Sequence, residues 1–415
     1  MKVSVIGLGY IGLPTAAILA ARQVVVIGVD VNQHMVDTIS QGRIHIVEPE
    51  LDTLVRGAVQ AGYLRAVTQP EKADAFMVTV PTPFKGNYEP DLSYIESATK
   101  AIAPVLEKGN MVILESTSPV GTTEKMIGWM QEVRPDLVFP VFGEDGSDAD
   151  ISVAHCPERV LPGHVVRELV ENDRMIGGVT IQCGERVREL YKIFVKADCT
   201  VTDCRTAELG KLVENAFRDV NIAFANELSL ICDKLNINVW ELIRLANRHP
   251  RVNILQPGPG VGGHCIAVDP WFIVNSAPDE AKLIYAARLV NNSKPYFVLE
   301  KINQAVTATG KEKSELKIAC LGLTFKPNVN DLRESPALEI SQQVGLMGFA
   351  KQYLVEPNID KMPTGFDSQN TELVDLRIAL ADADVVLLLV DHAPFKTLDI
   401  GILSGKQVVD TRGIW

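Results

Sequence analysis

Short apolar runs, each closed by glycine or a polar turn, punctuate the first third of the chain. Val3-Ser4-Val5-Ile6 ends at Gly7, Val24 to Val29 ends at Asp30, Ala75 to Val80 ends at Pro81, and Met111 to Leu114 ends at Glu115. Ile151 to His155 leads into Cys156-Pro157-Glu158. Such continuous runs suit parallel strands covered on both faces, where alternation is lost. From Thr206 to about Leu235 the period changes. Leu209, Leu212, Val213, Ala216, Val220, Ala223, Phe224, Leu228 and Ile231 recur at helical spacing and predict one long helix. After a charged, linker-like run from Lys311 to Glu315, strand patterns return at Leu316 to Leu321, Gln352 to Val355, Val385 to Val390 and Gln407 to Val409. Ser335-Pro336 reads as an N-cap followed by a proline at the first helical position.

This order predicts an α/β protein. Two Rossmann-like, doubly wound domains are joined by a long central helix and a small all-helical region. The expected boundaries are 1–200, 201–305 and 306–415. At 415 residues the chain is too long for one ordinary core.

Charge narrows the function. A formal net charge of −12 argues against a nucleic-acid partner, which needs a basic face. It also requires that any anionic substrate be met by a local group of Lys and Arg. No apolar run approaches the roughly 20 residues that cross a bilayer, so no membrane partner is expected. Seven scattered cysteines with no CxxC pair predict neither a disulfide framework nor a metal site, and suit the cytoplasm.

The chemistry concentrates at strand ends. Gly7-Leu8-Gly9-Tyr10-Ile11-Gly12 has the GxGxxG spacing, between a strand and a helix expected from Leu13 to Arg22. Gly7 serves the tight turn, Gly9 leaves room for a pyrophosphate, and Gly12 allows helix and strand to close up. Tyr10 and Ile11 share that loop. Asp30, eighteen residues after Gly12, suits a ribose 2′-hydroxyl and favours NAD over NADP. Pro81, Thr82, Ser116 and Thr117 stand at the next strand ends as candidate cofactor contacts, and Glu158 points toward the same crevice. On the long helix Lys211 and Asn215 are one turn apart, and Glu208 and Asp219 extend a polar stripe through apolar surroundings. Arg248 and Arg251 suit recognition of a diphosphate or uronate. The run from Asn253 to Pro270, NILQPGPGVGGHCIAVDP, bends a glycine-rich backbone around one thiol, Cys265. Gly322-Leu323-Thr324-Phe325-Lys326-Pro327 echoes the first glycine turn without its third glycine.

Taken together, GLGYIG, VPTP, STSPVGT, CPERVLPG, ELGKLVENAFRDVNIAFANE, GPGVGGHCIAVDP and FKPNVNDLRESP resemble the UDP-sugar 6-dehydrogenases over nearly the whole chain. The ERVLPG turn and the HC form of the cysteine loop are similar to the branch acting on UDP-N-acetylhexosamines, and within it to members acting on the manno epimer, with the same chemistry on UDP-N-acetylglucosamine or UDP-glucose as the alternative. The resemblance implies a four-electron oxidation of a sugar 6-hydroxyl to a carboxylate with two NAD⁺. It makes Cys265 the nucleophile, passing through a thiohemiacetal and a thioester. It makes Lys211 and Asn215 the oxyanion donors, Asp269 and Thr117 organisers of the hydrolytic water, and Glu158 the proton-transfer residue. Substrate contacts are implied at Glu158, Arg159, Val160, Lys211, Asn215, Asn253, Gly260, Gly262, His264 and Lys326, with Arg333 near the cofactor at the domain seam. Arg251 resembles an arginine that reaches the substrate of a neighbouring subunit, which implies a homodimer built on the central helix. Two positions depart from the UDP-glucose pattern: Pro162 stands where a second glutamate is usual, and His264 where a serine is usual. Both suggest a pocket shaped for a 2-acetamido group.

Overall fold

The computed structural model describes residues 1–46, 48–86, 88–146, 148–161, 163–263, 265–367 and 369–415. Two compact units divide the chain, Met1–Glu214 and Asn215–Trp415.

The first unit is built on eight strands: β1 Lys2–Ile6, β2 Val25–Val29, β3 Leu64–Val67, β4 Ala75–Val78, β7 Met111–Leu114, β8 Ser152–His155, β9 Arg174–Gly178 and β10 Cys199–Asp203. A two-stranded hairpin, β5 Phe84–Lys85 and β6 Glu89–Pro90, stands apart from them. The sheet order is β10-β9-β8-β7-β4-β1-β2-β3. The strand order reverses between β1 and β4, and ligands of open α/β sheets bind at such a point, beyond the strand carboxyl ends. The six strands from β3 to β8 are parallel, as expected from their apolar runs. β9 pairs antiparallel with β8 and parallel with β10. The expected doubly wound sheet therefore carries a reversed pair at one edge. Cores lie on both faces, one under the helix Gly12–Ala21 and one under Ser93–Ile102 and Thr122–Val133.

The second unit holds a five-stranded, fully parallel sheet in the order β13-β12-β11-β14-β15. Its strands are β11 Lys317–Leu321, β12 Lys351–Val355, β13 Thr371–Leu373, β14 Val385–Leu388 and β15 Gln407–Asp410. Ser335 caps the helix Pro336–Gly345, its Oγ accepting from Leu338 N, as the Ser-Pro pair predicts. The long helix runs Cys204–Lys234 and a second one Lys282–Thr309. Within this unit a buried polar chain ties the two together. Arg288 pairs with Asp219 at 2.7 Å, Asn291 donates to the same carboxylate at 2.7 Å, and Asn226 donates to Asn291 at 2.9 Å. Asn226 Oδ1 then accepts from Gly258 N at 2.9 Å, which anchors the start of the cysteine loop to the helix pair.

Candidate active site

In the first unit the GxGxxG turn has the shape that its spacing predicts. Gly7 takes a φ of +93°, and a Cβ on it would lie 3.0 Å from Thr79 O. A Cβ on Gly12 would lie 1.8 Å from Gly7 O and 2.4 Å from Thr79 Oγ1, so no side chain fits there. Thr79 closes the contact by donating to Gly7 O at 2.7 Å. A Cβ on Gly9 would meet nothing within 4 Å, which is the open approach a pyrophosphate needs. Tyr10 and Ile11 enter the helix Gly12–Ala21, Tyr10 on its exposed side. At the end of β2, Asp30 accepts from Leu8 N through one oxygen and from Asn32 N through the other, both at 2.9 Å. The residues present thus fit a dinucleotide: Gly9 leaves the phosphates room and Asp30 presents the ribose-facing carboxylate.

The neighbouring turns are held from below. Ser116 Oγ donates to Val80 O at 2.6 Å. Thr117 is half-buried. Thr82 Oγ1 is buried with no hydrogen-bond partner among the described residues, and Pro81 beside it is exposed. The STSPVGT turn is fixed by Glu208, whose carboxylate accepts from Gly121 N at 2.6 Å, Thr123 N at 2.8 Å and Thr123 Oγ1 at 2.6 Å. A carboxylate at a helix N-terminus satisfies donors that the helix leaves orphaned. Glu208 is therefore a helix anchor and Asp219 the partner of Arg288. Of the polar stripe, Lys211 in the first unit and Asn215 in the second remain as candidates.

Glu158 follows β8. Burial pushes its carboxyl up to about 7, against the opposing pull of Lys211 and Arg174. Its Oε1 accepts from Val160 N. Lys211 is 9% exposed. Arg159 pairs with Glu214 at 2.6 Å and donates to Asp173 O at 3.2 Å, so its guanidinium already has partners. Glu48 accepts from Gly163 N at 2.9 Å and Val165 N at 2.7 Å and pins the far side of this turn. Sequence reasoning missed the group behind Glu158. Arg174, 1% exposed, lies against the Tyr191 ring, whose hydroxyl donates to buried Glu115 at 2.5 Å. Arg174 sits in the strand RMIGG, which carries no motif. Glu115 had one signal, its place at a strand end just before the Ser-Thr turn.

In the second unit Cys265, Asp269 and Asn215 come together. Asp269 opens the helix Asp269–Ser276, and its N–H donates to Cys265 O at 2.8 Å. Its side chain, 3% exposed, accepts from Asn215 Nδ2 at 2.6 Å. Cys265 is half-buried. The loop glycines are required by close packing. A Cβ on Gly260 would fall 2.8 Å from Pro336, and one on Gly262 would fall 2.2 Å from Glu334 O. Lys326 has its ammonium 5.7 Å from the Phe325 ring centre. Arg333 pairs with Asp331 at 2.7 Å. Arg251 and Asn253 are exposed, with Arg251 N donating to His249 Nδ1 at 3.3 Å. His264 and Pro162 lie outside the described residues.

Comparison with known proteins shows the family. Residues 1–195 match the NAD binding domain of the UDP-glucose/GDP-mannose dehydrogenase family, 205–293 its central domain and 319–415 its UDP binding domain. An NDP-N-acetyl-D-galactosaminuronic acid dehydrogenase of Ralstonia nicotianae is 62% identical over 413 residues, covering 100% of this chain and 96% of its own. The UDP-N-acetyl-D-mannosamine dehydrogenase of Escherichia coli K12 is 60% identical over 417 residues, covering 100% and 99%. Among solved structures, a UDP-D-ManNAc dehydrogenase from Pyrococcus horikoshii superposes with a TM-score of 0.87 at 36% identity, covering 100% of this chain and 96% of that one. Among the described residues no helix is long and apolar enough to cross a membrane.

Proposed function

Because the chain belongs to the UDP-glucose/GDP-mannose dehydrogenase family, we propose that it is a UDP-N-acetyl-D-mannosamine 6-dehydrogenase, which oxidises the C6 hydroxyl to a carboxylate with two NAD⁺. The observation that carries this reading is the Asn215–Asp269–Cys265 cluster, in which Asn215 donates to the Asp269 carboxylate and Asp269 N donates to the backbone carbonyl of Cys265, a half-buried cysteine. A two-electron alcohol dehydrogenase has no use for that thiol.

When bound, NAD⁺ supplies the hydride acceptor for both oxidations. Gly7, Gly9, Gly12 and the N-terminus of the helix Gly12–Ala21 would hold its pyrophosphate, and Asp30 its ribose. The protein's residues then divide the remaining work. Lys211 and Asn215 donate to O6 as it becomes an alkoxide, and again to the oxyanions that follow. The Cys265 thiolate adds to the C6 aldehyde to give a thiohemiacetal, which is oxidised to a thioester. Water adds to the thioester, C–S cleavage releases the carboxylate, and Cys265 recovers its proton. Glu158, with its carboxyl raised to about 7, takes the proton of the attacking water as a general base near neutral pH. Asp269 and Thr117 orient that water. Arg159, Val160, Asn253, Gly260, Gly262, His264 and Lys326 complete the proposed substrate contacts. Thr82, Pro81, Ser116 and Arg333 complete those to the cofactor.

A homodimer belongs to the same proposal. Phe217 (70% exposed), Phe224 (52%) and Ile231 (47%) recur every seven residues along the long helix and leave an apolar stripe suited to a second copy. Arg251 would reach across that interface to the partner's substrate. The reaction draws on NAD and a nucleotide sugar, which is consistent with a cytoplasmic enzyme.

The 62% identity to a relative named for N-acetyl-D-galactosaminuronic acid favours the galacto epimer as a second reading. A few pocket contacts, worth about 1–3 kcal/mol, decide between epimers. The test offers purified protein UDP-ManNAc, UDP-GalNAc, UDP-GlcNAc and UDP-glucose, and compares kcat/KM by NADH release. The proposal expects UDP-ManNAc to lead by about tenfold or more. A lead for UDP-GalNAc establishes the second reading, and a lead for UDP-glucose rejects both.

A further inference from the structure

The turn after β11 repeats the first turn of the chain in backbone but not in chemistry. Gly7 and Gly322 take φ values of +93° and +89°. Each donates its N–H to the end of the adjacent strand, at Val29 O and Val355 O, both at 2.8 Å. The next N–H goes to the carboxylate just past that strand: Leu8 to Asp30 at 2.9 Å, Leu323 to Glu356 at 2.8 Å. There the likeness ends. Glu356 is saturated. Its Oε2 also accepts from Thr324 N at 3.2 Å, and its Oε1 accepts from Asn358 N at 3.1 Å and Asn358 Nδ2 at 3.0 Å. His392, fully buried, completes the set with Nε2 2.9 Å from Oε2.

The hydrogen bonds fix the tautomer of that ring. Asn328 N lies 2.9 Å from His392 Nδ1, and a backbone N–H can only donate. Nδ1 is therefore the acceptor, and the proton sits on Nε2, facing Glu356. Asn328 itself has a φ of +62° and returns a bond, its Oδ1 accepting from Ala393 N at 3.0 Å. Both ends of the segment 323–328 are thus fastened to one imidazole–carboxylate pair. Between the fastenings stand Phe325 and Lys326. Phe325 packs on the cysteine loop: a Cβ built on Gly263 would lie 3.1 Å from its ring, and one on Gly262 would lie 3.0 Å from its Cβ. Cys265 is two residues further on.

We propose that His392 is a positioning residue for the reaction: bonded to Asn328 and Glu356, it sets the place of Lys326 against the nucleotide sugar and, through Phe325, the seat of the Cys265 loop. This rests on the reading of Cys265 as nucleophile and Lys326 as a substrate contact. His392 touches neither. The repeated turn of the second unit is a rigid mount, in which an imidazole occupies the carboxylate that the first unit offers to a ribose.

The test compares H392A, H392N, H392Q and E356Q with wild type, on protein retaining the wild-type near-ultraviolet circular dichroism. Three quantities are read: KM for the UDP-sugar, KM for NAD⁺, and the rate at which iodoacetamide alkylates Cys265, followed by peptide mass spectrometry. The amide oxygen of Asn falls where Nδ1 lies and can still accept from Asn328, whereas Gln reaches only the Nε2 position. H392A should raise the UDP-sugar KM about tenfold or more, change the Cys265 alkylation rate about threefold or more, and leave the NAD⁺ KM within about twofold. H392N should recover most of the UDP-sugar KM, and H392Q should not. E356Q should show the same split more weakly, and it keeps the test open should H392A fail to fold. Sugar KM and alkylation rate both within about twofold of wild type in H392A and E356Q would overturn the proposal, as would equal loss in both KM values. If wild type turns over no UDP-sugar, the functional reading fails, and the alkylation rates still decide whether His392 seats the loop.

Discussion

Glu158 shows how a single side chain acquires a function from its surroundings. An exposed glutamate is wholly ionised at neutral pH and makes a weak base. Burial lifts this one to about 7, and Lys211 and Arg174 hold it from rising further. The sign follows directly. In the proposed mechanism the carboxylate is the active form in thioester hydrolysis, so that step should speed up as pH rises through about 7 and level off above it. E158Q should remove this limb and slow hydrolysis about 10²–10⁴-fold, seen in a pH series of single-turnover quench measurements. A limb unchanged in E158Q assigns the base elsewhere. The thiol has its own signature. C265S should cut carboxylate formation on the order of 10³-fold or more, while the first hydride transfer survives as a burst of NADH. Chromatography of the product separates aldehyde from acid and reads this directly. At this scale the residue types were legible: Cys265, Glu158, Lys211 and Asp30 announce themselves by motif. What held them was not. Glu48 and Glu356 carry no motif, and Glu208 reads only as part of a polar stripe, yet each accepts backbone N–H groups far along the chain. Spacing along one element cannot name a partner on another.

Elements turn those residues into a site. The strands that were easiest to read are fully buried apolar runs such as MVIL and VVLL, where composition alone carries the signal. The ones that were missed, LRAV, RMIGG, CTVTD and TEL, are short and mix exposed, polar or glycine positions. β9 and β10 exist because the sheet extends to receive them, not because their local propensity is strong. The sequence reads the cysteine loop as a glycine-rich bend around one thiol, and the structure adds that its glycines answer to packing. G262A places a Cβ 2.2 Å from Glu334 O and should displace the loop, raising the UDP-sugar KM with little change in that for NAD⁺. Steady-state kinetics with each substrate varied in turn would show the split. The helix pair beneath the loop is pinned by a buried ion pair, with Arg288 3% and Asp219 0% exposed. D219A leaves a buried guanidinium unpaired and should cost about 3–5 kcal/mol, visible as a lowered calorimetric transition.

On the scale of the whole molecule, one chain carries two dinucleotide-type sheets and uses them differently. The first keeps its glycine cradle and, in Asp30, the carboxylate proposed to face a ribose. The second keeps the turn and occupies the carboxylate with His392. The division into sheet, helices and sheet was legible from the change of hydrophobic period, because each sheet needs its own core. The apolar stripe of the long helix was visible as periodicity, but its exposure only in three dimensions. F217D/F224D should convert the proposed homodimer to monomer in light scattering, with loss of turnover if Arg251 serves the neighbouring subunit as proposed. Dimer mass retained by that variant would rule out the stripe as the interface.

In the proposed reaction one thiol, that of Cys265, carries the substrate between two oxidations. The most direct measurement is the number of NADH formed for each UDP-sugar consumed, with the product identified by mass. Two NADH and a uronate, with no aldehyde released at any time, is the predicted result. One NADH and a free aldehyde in solution would contradict it, because Cys265 would then have taken no part in the reaction.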